Sequence, residues 1–224
     1  MRALRSSPFL RLIIFLNSAQ QHKKFLKSTT TSKVESPLHF QPSKMKPSTL
    51  TTFLVSTALT QAQYFTLISV RSASPIHFGQ ITASGERLYI NRNTASYCPT
   101  QVGDACPAGN ITTFAGGSGS LAMGVIVPGG QQVYIDPVCG AVGYTQAHSA
   151  AMPQGAIAGG WNVSLGDPYG YLSRDGGLVA CPAADEEGGY QVFGQVEGVV
   201  LSEECLGFTA FAINATGPGA WQYT

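Results

Sequence analysis

From position 64 to the C-terminus, no run of ten residues carries apolar side chains at a helical period. Short stretches of alternating apolar and polar residues follow one another instead, separated by glycine, proline, asparagine and aspartate. A chain punctuated this way has no helix face to bury, so it builds sheets from short strands joined by tight turns. The segment PGGQQVYIDPVCGAVGYTQAHSA at 128–150 shows the rhythm. Val133 and Ile135 point to one side of an extended chain and Tyr134 to the other. Val142 and Tyr144 repeat the alternation after a break at Pro137. A β-hairpin is expected here, 132–136 against 141–146, in the middle of an all-β domain.

Further strands are expected at 64–70, 76–81, 87–91, 112–115, 121–127, 161–165, 170–172, 178–181, 190–195, 208–213 and 221–223. Gly85 suits the turn of a second hairpin. The 26 glycines fit many tight turns. Ten to twelve short strands in one compact, disulfide-supported domain fit a β-trefoil, a small barrel or a sandwich, and strand count and size place the trefoil ahead.

Charge divides the chain. Nine of the 13 basic residues lie in the first 46 positions, opposed only by Glu35. From Gln63 onward there are four arginines, no lysine and eleven acidic residues, a formal −7. An acidic body without lysine neutralises no phosphates, so nucleic acid is not an expected partner. Residues 1–44 are basic and rich in Ser and Thr, and read as an upstream extension or a mis-assigned start. A mitochondrial presequence shares that composition, but the body reads as secretory. Met45 and Lys46, the apolar run at 50–59 and the small-residue end at Ala62 form a signal peptide over 45–62. The secreted domain is then 63–224. No apolar tail follows Tyr223 and Thr224, so no membrane anchor is expected.

Five cysteines stand in the body. Cys98 and Cys106 bracket a turn-rich loop and form a natural local pair. Cys181 and Cys205 sit at the edges of strands, and a bridge between them closes a loop worth ~3 kcal/mol. Cys139 is left as a free thiol and allows a disulfide-linked dimer. Three N-glycosylation sequons begin at Asn110, Asn162 and Asn214. With the signal peptide and cysteines they indicate a secretory route, although Asn162 falls inside an expected strand.

Candidate chemistry is sparse. His148, Ser149 and Asp136 contain the residue types of a hydrolase triad, but their order and spacing match no nucleophile motif. Glu186 with Glu187, and Glu203 with Glu204, are neighbouring carboxylates in loops rather than a pair facing across a cleft. No metal site or cofactor is expected, since CxxC is absent and the body holds only His77 and His148. Trp161, Tyr169, Tyr171, Tyr190 and Trp221 offer flat rings on which a sugar could stack, with Trp161, Tyr169 and Tyr171 as the expected surface cluster, against the alternative that Trp161 and Trp221 are core.

The order of YFTLISVRSASPIHFGQI, NTASYCP, QQVYIDPVCGAVGYTQ, GGLVACPA, YQVF, CLGFTAFAI and the terminal WQYT resembles a family of secreted fungal proteins. These are the phialide-development cell wall protein and IgE-binding proteins of filamentous ascomycetes. The likeness covers the body and excludes 1–44. It implies a small secreted or wall-associated glycoprotein, IgE-binding and linked to sporulating-cell development, with no catalytic residues. Cys98, Cys181 and Cys205 match family cysteines. The wall protein's cysteine-bearing ending is replaced here by Ala220-Trp221-Gln222-Tyr223-Thr224, which aligns the chain with the IgE-binding branch, and Cys139 stands where a small polar residue is expected. Wall polysaccharide, wall proteins and IgE are the implied partners. A structural or interaction protein is the first functional expectation, a carbohydrate-binding module the second and a secreted hydrolase the third.

Overall fold

The computed structural model describes residues 62–224. The basic extension and the signal segment, apart from Ala62, lie outside the described residues. The chain forms β1 (Tyr64–Val70), β2 (Ile81–Ser84), β3 (Arg87–Ile90), β4 (Ser96–Tyr97) and β5 (Phe114–Gly116). There follow β6 (Ser118–Gly119), β7 (Leu121–Met123), β8 (Val133–Ile135), β9 (Val142–Tyr144) and β10 (Trp161–Ser164). The last five are β11 (Gly170–Arg174), β12 (Leu178–Pro182), β13 (Tyr190–Gly194), β14 (Leu206–Ala215) and β15 (Gln222–Tyr223). One 3-10 turn, Gly103–Ala105, is the only helical element among the described residues.

Thirteen strands join in one antiparallel sheet, and β15 pairs separately with β4. The long strand β14 carries the architecture. It pairs with β1 along 209–215, with β11 through 210–212 and with β12 through 206–208. Strands β11 and β12 follow one another along β14, with Asp175, Gly176 and Gly177 bulging between them. One wing therefore runs β6-β10-β11-β14-β1-β5-β7, and the other runs from β14 through β12, β13, β3 and β9 to β8. A bridge from Ala122 to Gln132 links β7 toward β8, so the sheet curls into a half-barrel around one core. The strand order repeats no four-strand unit three times, and the trefoil expectation gives way to this curled sheet.

Strand β1 alternates as its sequence requires. Phe65, Leu67 and Ser69 face inward and Thr66, Ile68 and Val70 outward. Phe65, Leu67, Ile90, Phe114, Leu121, Ile135, Tyr144, Trp161 and Val192 meet in the core, each worth roughly 1.5–3 kcal/mol if fully removed from water. The hairpin around Gly85 forms, with both Gly85 and Glu86 at positive φ (59° and 58°), which matches the twist of β2 and β3.

Two strand expectations change. The segment 76–81 is a loop until Ile81, because the buried hydroxyl of Ser69 donates to the carbonyls of Ile76 and Gly79 and captures that backbone. The hairpin of β8 and β9 pairs Val133 with Tyr144 and Ile135 with Val142, but it has no polar face. Tyr134 is buried as well, and its hydroxyl accepts from Arg87 Nη1 at 3.2 Å.

The C-terminal residues are threaded into the fold. Thr224 N–H donates to Ala95 O at 3.1 Å, and Thr224 O accepts from Gly85 N–H and from the Tyr144 hydroxyl. Tyr223 has its own peptide groups met by a side chain. Gln131 Oε1 accepts from Tyr223 N–H at 2.8 Å, and Gln131 Nε2 donates to Tyr223 O at 3.0 Å and Thr145 O at 2.9 Å. The Tyr223 hydroxyl accepts from Thr113 N–H and donates to Ile111 O.

Candidate functional site

The outward side of the β10-β11-β14-β1 wing carries the candidate site. Register fixes its rows. Ser164 lies opposite Tyr171, Tyr171 opposite Phe211, and Phe211 opposite Ile68. The next row is Asn162 and Ser173, followed by Thr209 opposite Val70. Tyr169 and Tyr171 share the outward side because alternate residues do, while Gly170 between them faces inward. Only glycine fits there, since a Cβ at Gly170 would sit 1.7 Å from Ser164 O. That close approach folds the β10–β11 connection back and sets Tyr169 over β14.

The rings form one cluster. Tyr169 stacks on Phe211 with centroids 4.5 Å apart and planes 7° from parallel. Tyr171 meets Phe211 edge-on at 5.0 Å and Tyr169 edge-on at 6.0 Å. Each contact adds about 0.5–1.5 kcal/mol beyond burial, which holds the rings in place before any ligand arrives. Tyr169 and Tyr171 remain 43% and 48% exposed. None of the outward positions in these four strands is charged, although the body as a whole is acidic.

Trp161 does not belong to this surface. It is 1% exposed, because it shares the inward parity of Val163, and its Nε1 lies buried without a hydrogen-bond partner. Arg174 lies over its ring at 5.9 Å. Phe211 takes the third place in the cluster. Sequence reading missed it because both parities of β14 are apolar. The available signal was the size contrast: Ala210 and Ala212 face in, whereas Thr209, Phe211 and Ile213 face out.

The remaining candidates are dispersed. The Asp136 carboxylate accepts from Val138 N–H in the β8–β9 turn, and Ser149 Oγ accepts from Ala151 N–H. His148 is exposed, and no hydrogen bond joins these three among the described residues. Of the acidic pairs, Glu187 and its neighbour Asp185 are held by Arg92, another residue that sequence reading missed. The Arg92 side chain is 6% exposed and lies 3.5 Å from the centre of the Tyr89 ring. It donates to Gly188 O through Nε and Nη2 and pairs with Asp185 and, at 3.4 Å, Glu187. Among the described residues no group of three or more His, Cys, Asp or Glu is placed to hold a metal. No helix among them is long and apolar enough to cross a membrane.

Disulfides join Cys98 to Cys106 around the 3-10 turn, and Cys181 to Cys205, tying the end of β12 to the start of β14. Cys139 is a free, exposed thiol. The sequon asparagines Asn110, Asn162 and Asn214 are all exposed. Asn162 sits inside β10 but points outward, and Asn214 Nδ2 donates to Gly166 O at 3.3 Å.

Two disulfides in an all-β domain suit the oxidising environment of secreted proteins. Residues 65–224 match the model of the PhiA-like secreted protein family, and the chain belongs to that family. An uncharacterized secreted protein of Arthroderma benhamiae is 39% identical over 153 residues, which cover 63% of this chain and 76% of the relative. No solved structure matches the chain. The family likeness read from the sequence holds, and the protein is secreted.

Proposed function

We propose that the chain is an interaction glycoprotein of the fungal wall rather than an enzyme, and that it holds wall polysaccharide on the Tyr169–Tyr171–Phe211 face. The ring cluster carries this reading. Axial C–H groups give a pyranose an apolar face that stacks on an aromatic ring while its hydroxyls stay in water. Uncharged outward positions on these strands suit a neutral polysaccharide, and a preformed cluster lowers the cost of ordering side chains on binding. A polymer offers repeated sites, so weak individual contacts suffice for retention. The family likeness supports a further reading, that the protein binds IgE in sensitised hosts and takes part in sporulating-cell development. IgE binding is an immune readout, not a biochemical mechanism.

The test is co-sedimentation of the secreted protein, after enzymatic removal of N-glycans, with insoluble chitin and β-glucan. Retention should be lost in Tyr171→Ala and Phe211→Ala while the circular dichroism spectrum is kept. Equal retention of the variants, or no retention of the wild type on any wall fraction, refutes the polysaccharide role and leaves a protein–protein role in the wall.

A further inference from the structure

The strand register brings a modification site and the aromatic cluster onto one surface. Asn162 begins the sequon Asn162-Val163-Ser164. It is exposed, on the same outward side as Tyr171, in the neighbouring strand. Its cross-strand partner is Ser173, two residues along β11 from Tyr171. A strand spacing of about 4.8 Å and a rise of about 3.3 Å per residue put the Tyr171 Cα about 8 Å from that of Asn162, and the Phe211 Cα about 12 Å away.

The ground between is low. Ser164 lies beside Asn162 on β10 and Ser173 lies across from it, so nothing larger than a hydroxymethyl group separates Asn162 from the rings. The Ser173 hydroxyl is turned to the Asn162 carbonyl. On the other edge Asn162 is flanked by the exposed Ser118 of β6. The first two sugars of an N-glycan, N-acetylglucosamines with apolar ring faces, span the distance to Tyr171 and Phe211 along this corridor.

We infer that an N-glycan on Asn162 folds down across Ser164 and Ser173 onto Tyr171 and Phe211, so that the protein's own sugar occupies the aromatic face in cis. The face is then covered in the glycosylated protein and opens to external polysaccharide when the glycan is absent or trimmed. The second half of this inference rests on the polysaccharide reading above; the first half does not.

The test reads the two halves separately. The protein is secreted from a host that N-glycosylates, as wild type, Asn162→Gln, Ser164→Ala and Asn110→Gln. Tetranitromethane nitration of Tyr171 is compared with that of Tyr97, which is 52% exposed and lies on β4, outside this wing. Wild type treated with an N-glycosidase after folding guards against variants that fail to fold. Nitration of Tyr171 relative to Tyr97 should rise about fivefold in Asn162→Gln, in Ser164→Ala and in the treated wild type, the equivalent of losing a contact of about 1 kcal/mol. Asn110→Gln should match the wild type. Retention on wall polysaccharide should rise in the same three samples. An unoccupied Asn162 in the secreted wild type, or Tyr171 nitration indifferent to the glycan, overturns the inference. Nitration that responds without any polysaccharide retention upholds the cis contact and refutes the polysaccharide role.

Discussion

Gln131→Leu tests whether a side chain substitutes for a strand at the centre of this fold. Gln131 is 1% exposed and makes three hydrogen bonds of 2.8–3.0 Å, two to the peptide of Tyr223 and one to Thr145 O. Leucine has nearly the same volume and none of the partners. It strands one N–H and two carbonyls away from water, at a combined cost of roughly 3–5 kcal/mol. The apolar side chain returns about 1–2 kcal/mol. The net loss is centred on about 2.5 kcal/mol, or about 5–10 °C in Tm for a domain of this size.

The neighbouring Gln132 supplies the control. Its Nε2 donates to Leu121 O at 2.7 Å, but the residue is only half-buried, and water replaces what Gln132→Leu removes. That variant should lose under ~1 kcal/mol. The assay is urea unfolding followed by circular dichroism, with m unchanged if the native core stays intact. Gln131→Glu separates donor loss from volume loss. Its carboxyl still accepts from Tyr223 N–H but faces two carbonyls, and burial raises its pKa. Its deficit against wild type should shrink as pH falls and the carboxyl protonates. Equal stability of Gln131→Leu and Gln132→Leu would show that the C-terminal residues are held by packing alone.

Alkaline pH should unfold the domain through its buried phenols. Burial raises the pKa of both Tyr144 and Tyr223, so their contribution is complete below the unfolded value of ~10 and is lost as pH climbs above it. Urea midpoints measured upward from pH ~9 should fall, and a flat profile to well beyond ~10 would contradict the burial argument. The Cys181–Cys205 bridge spans 24 residues and the Cys98–Cys106 bridge spans 8, so loop entropy assigns them about 3.5 and 2.5 kcal/mol. Paired Cys→Ser variants should rank in that order by chemical denaturation; the reverse order would mean the 98–106 loop holds more than its own turn. Arg92→Ala should cost about 2–3 kcal/mol through lost contacts to Gly188 O and Tyr89, and Arg92→Lys should recover little because the fork is gone. Asp185→Asn should cost under ~1 kcal/mol, since that carboxylate is half exposed; parity with Arg92→Ala would place the energy in the ion pair instead.

The sequence makes the strands legible where one parity is apolar and the other is not. Strand β1 matches its expected bounds because Phe65 and Leu67 alternate with Tyr64 and Thr66. The turn at Gly85 forms where it is expected because Gly85 permits the positive φ it requires, but the strand leading into it is 81–84, most of which the sequence reads as connection. Strands of two residues, such as β4 and β6, are too short for any period to register, and they help raise the count to fifteen. The strand order was beyond local reading. It depends on β14 pairing with β1 from 64↔215 to 70↔209, contacts between opposite ends of the described chain that no spacing encodes. The loop at 76–79 was misread for a related reason: its apolar residues suit a strand, but Ser69, itself in the core, competes for their carbonyls.

The aromatic face was half legible. Tyr169 and Tyr171 were visible as rings two residues apart, and in an extended chain that spacing already places them on one side. Which side, and with what neighbour, depended on Gly170. A side chain there would meet the backbone of Ser164 and Leu165, so β10 and β11 approach as closely as they do only because the residue between the two tyrosines has none. Trp161 was grouped with them by chemistry, yet it stands opposite Arg174 in register, on the inward parity. Phe211 was hidden because β14 is apolar on both sides, a pattern that reads as buried throughout. It is left half exposed because β14 faces the core with alanines at 210 and 212. The small residues of β14 therefore let the curled sheet close on its core, while the large ones are left on the outer surface beside Asn162, where the uncharged aromatic face and the sequon meet.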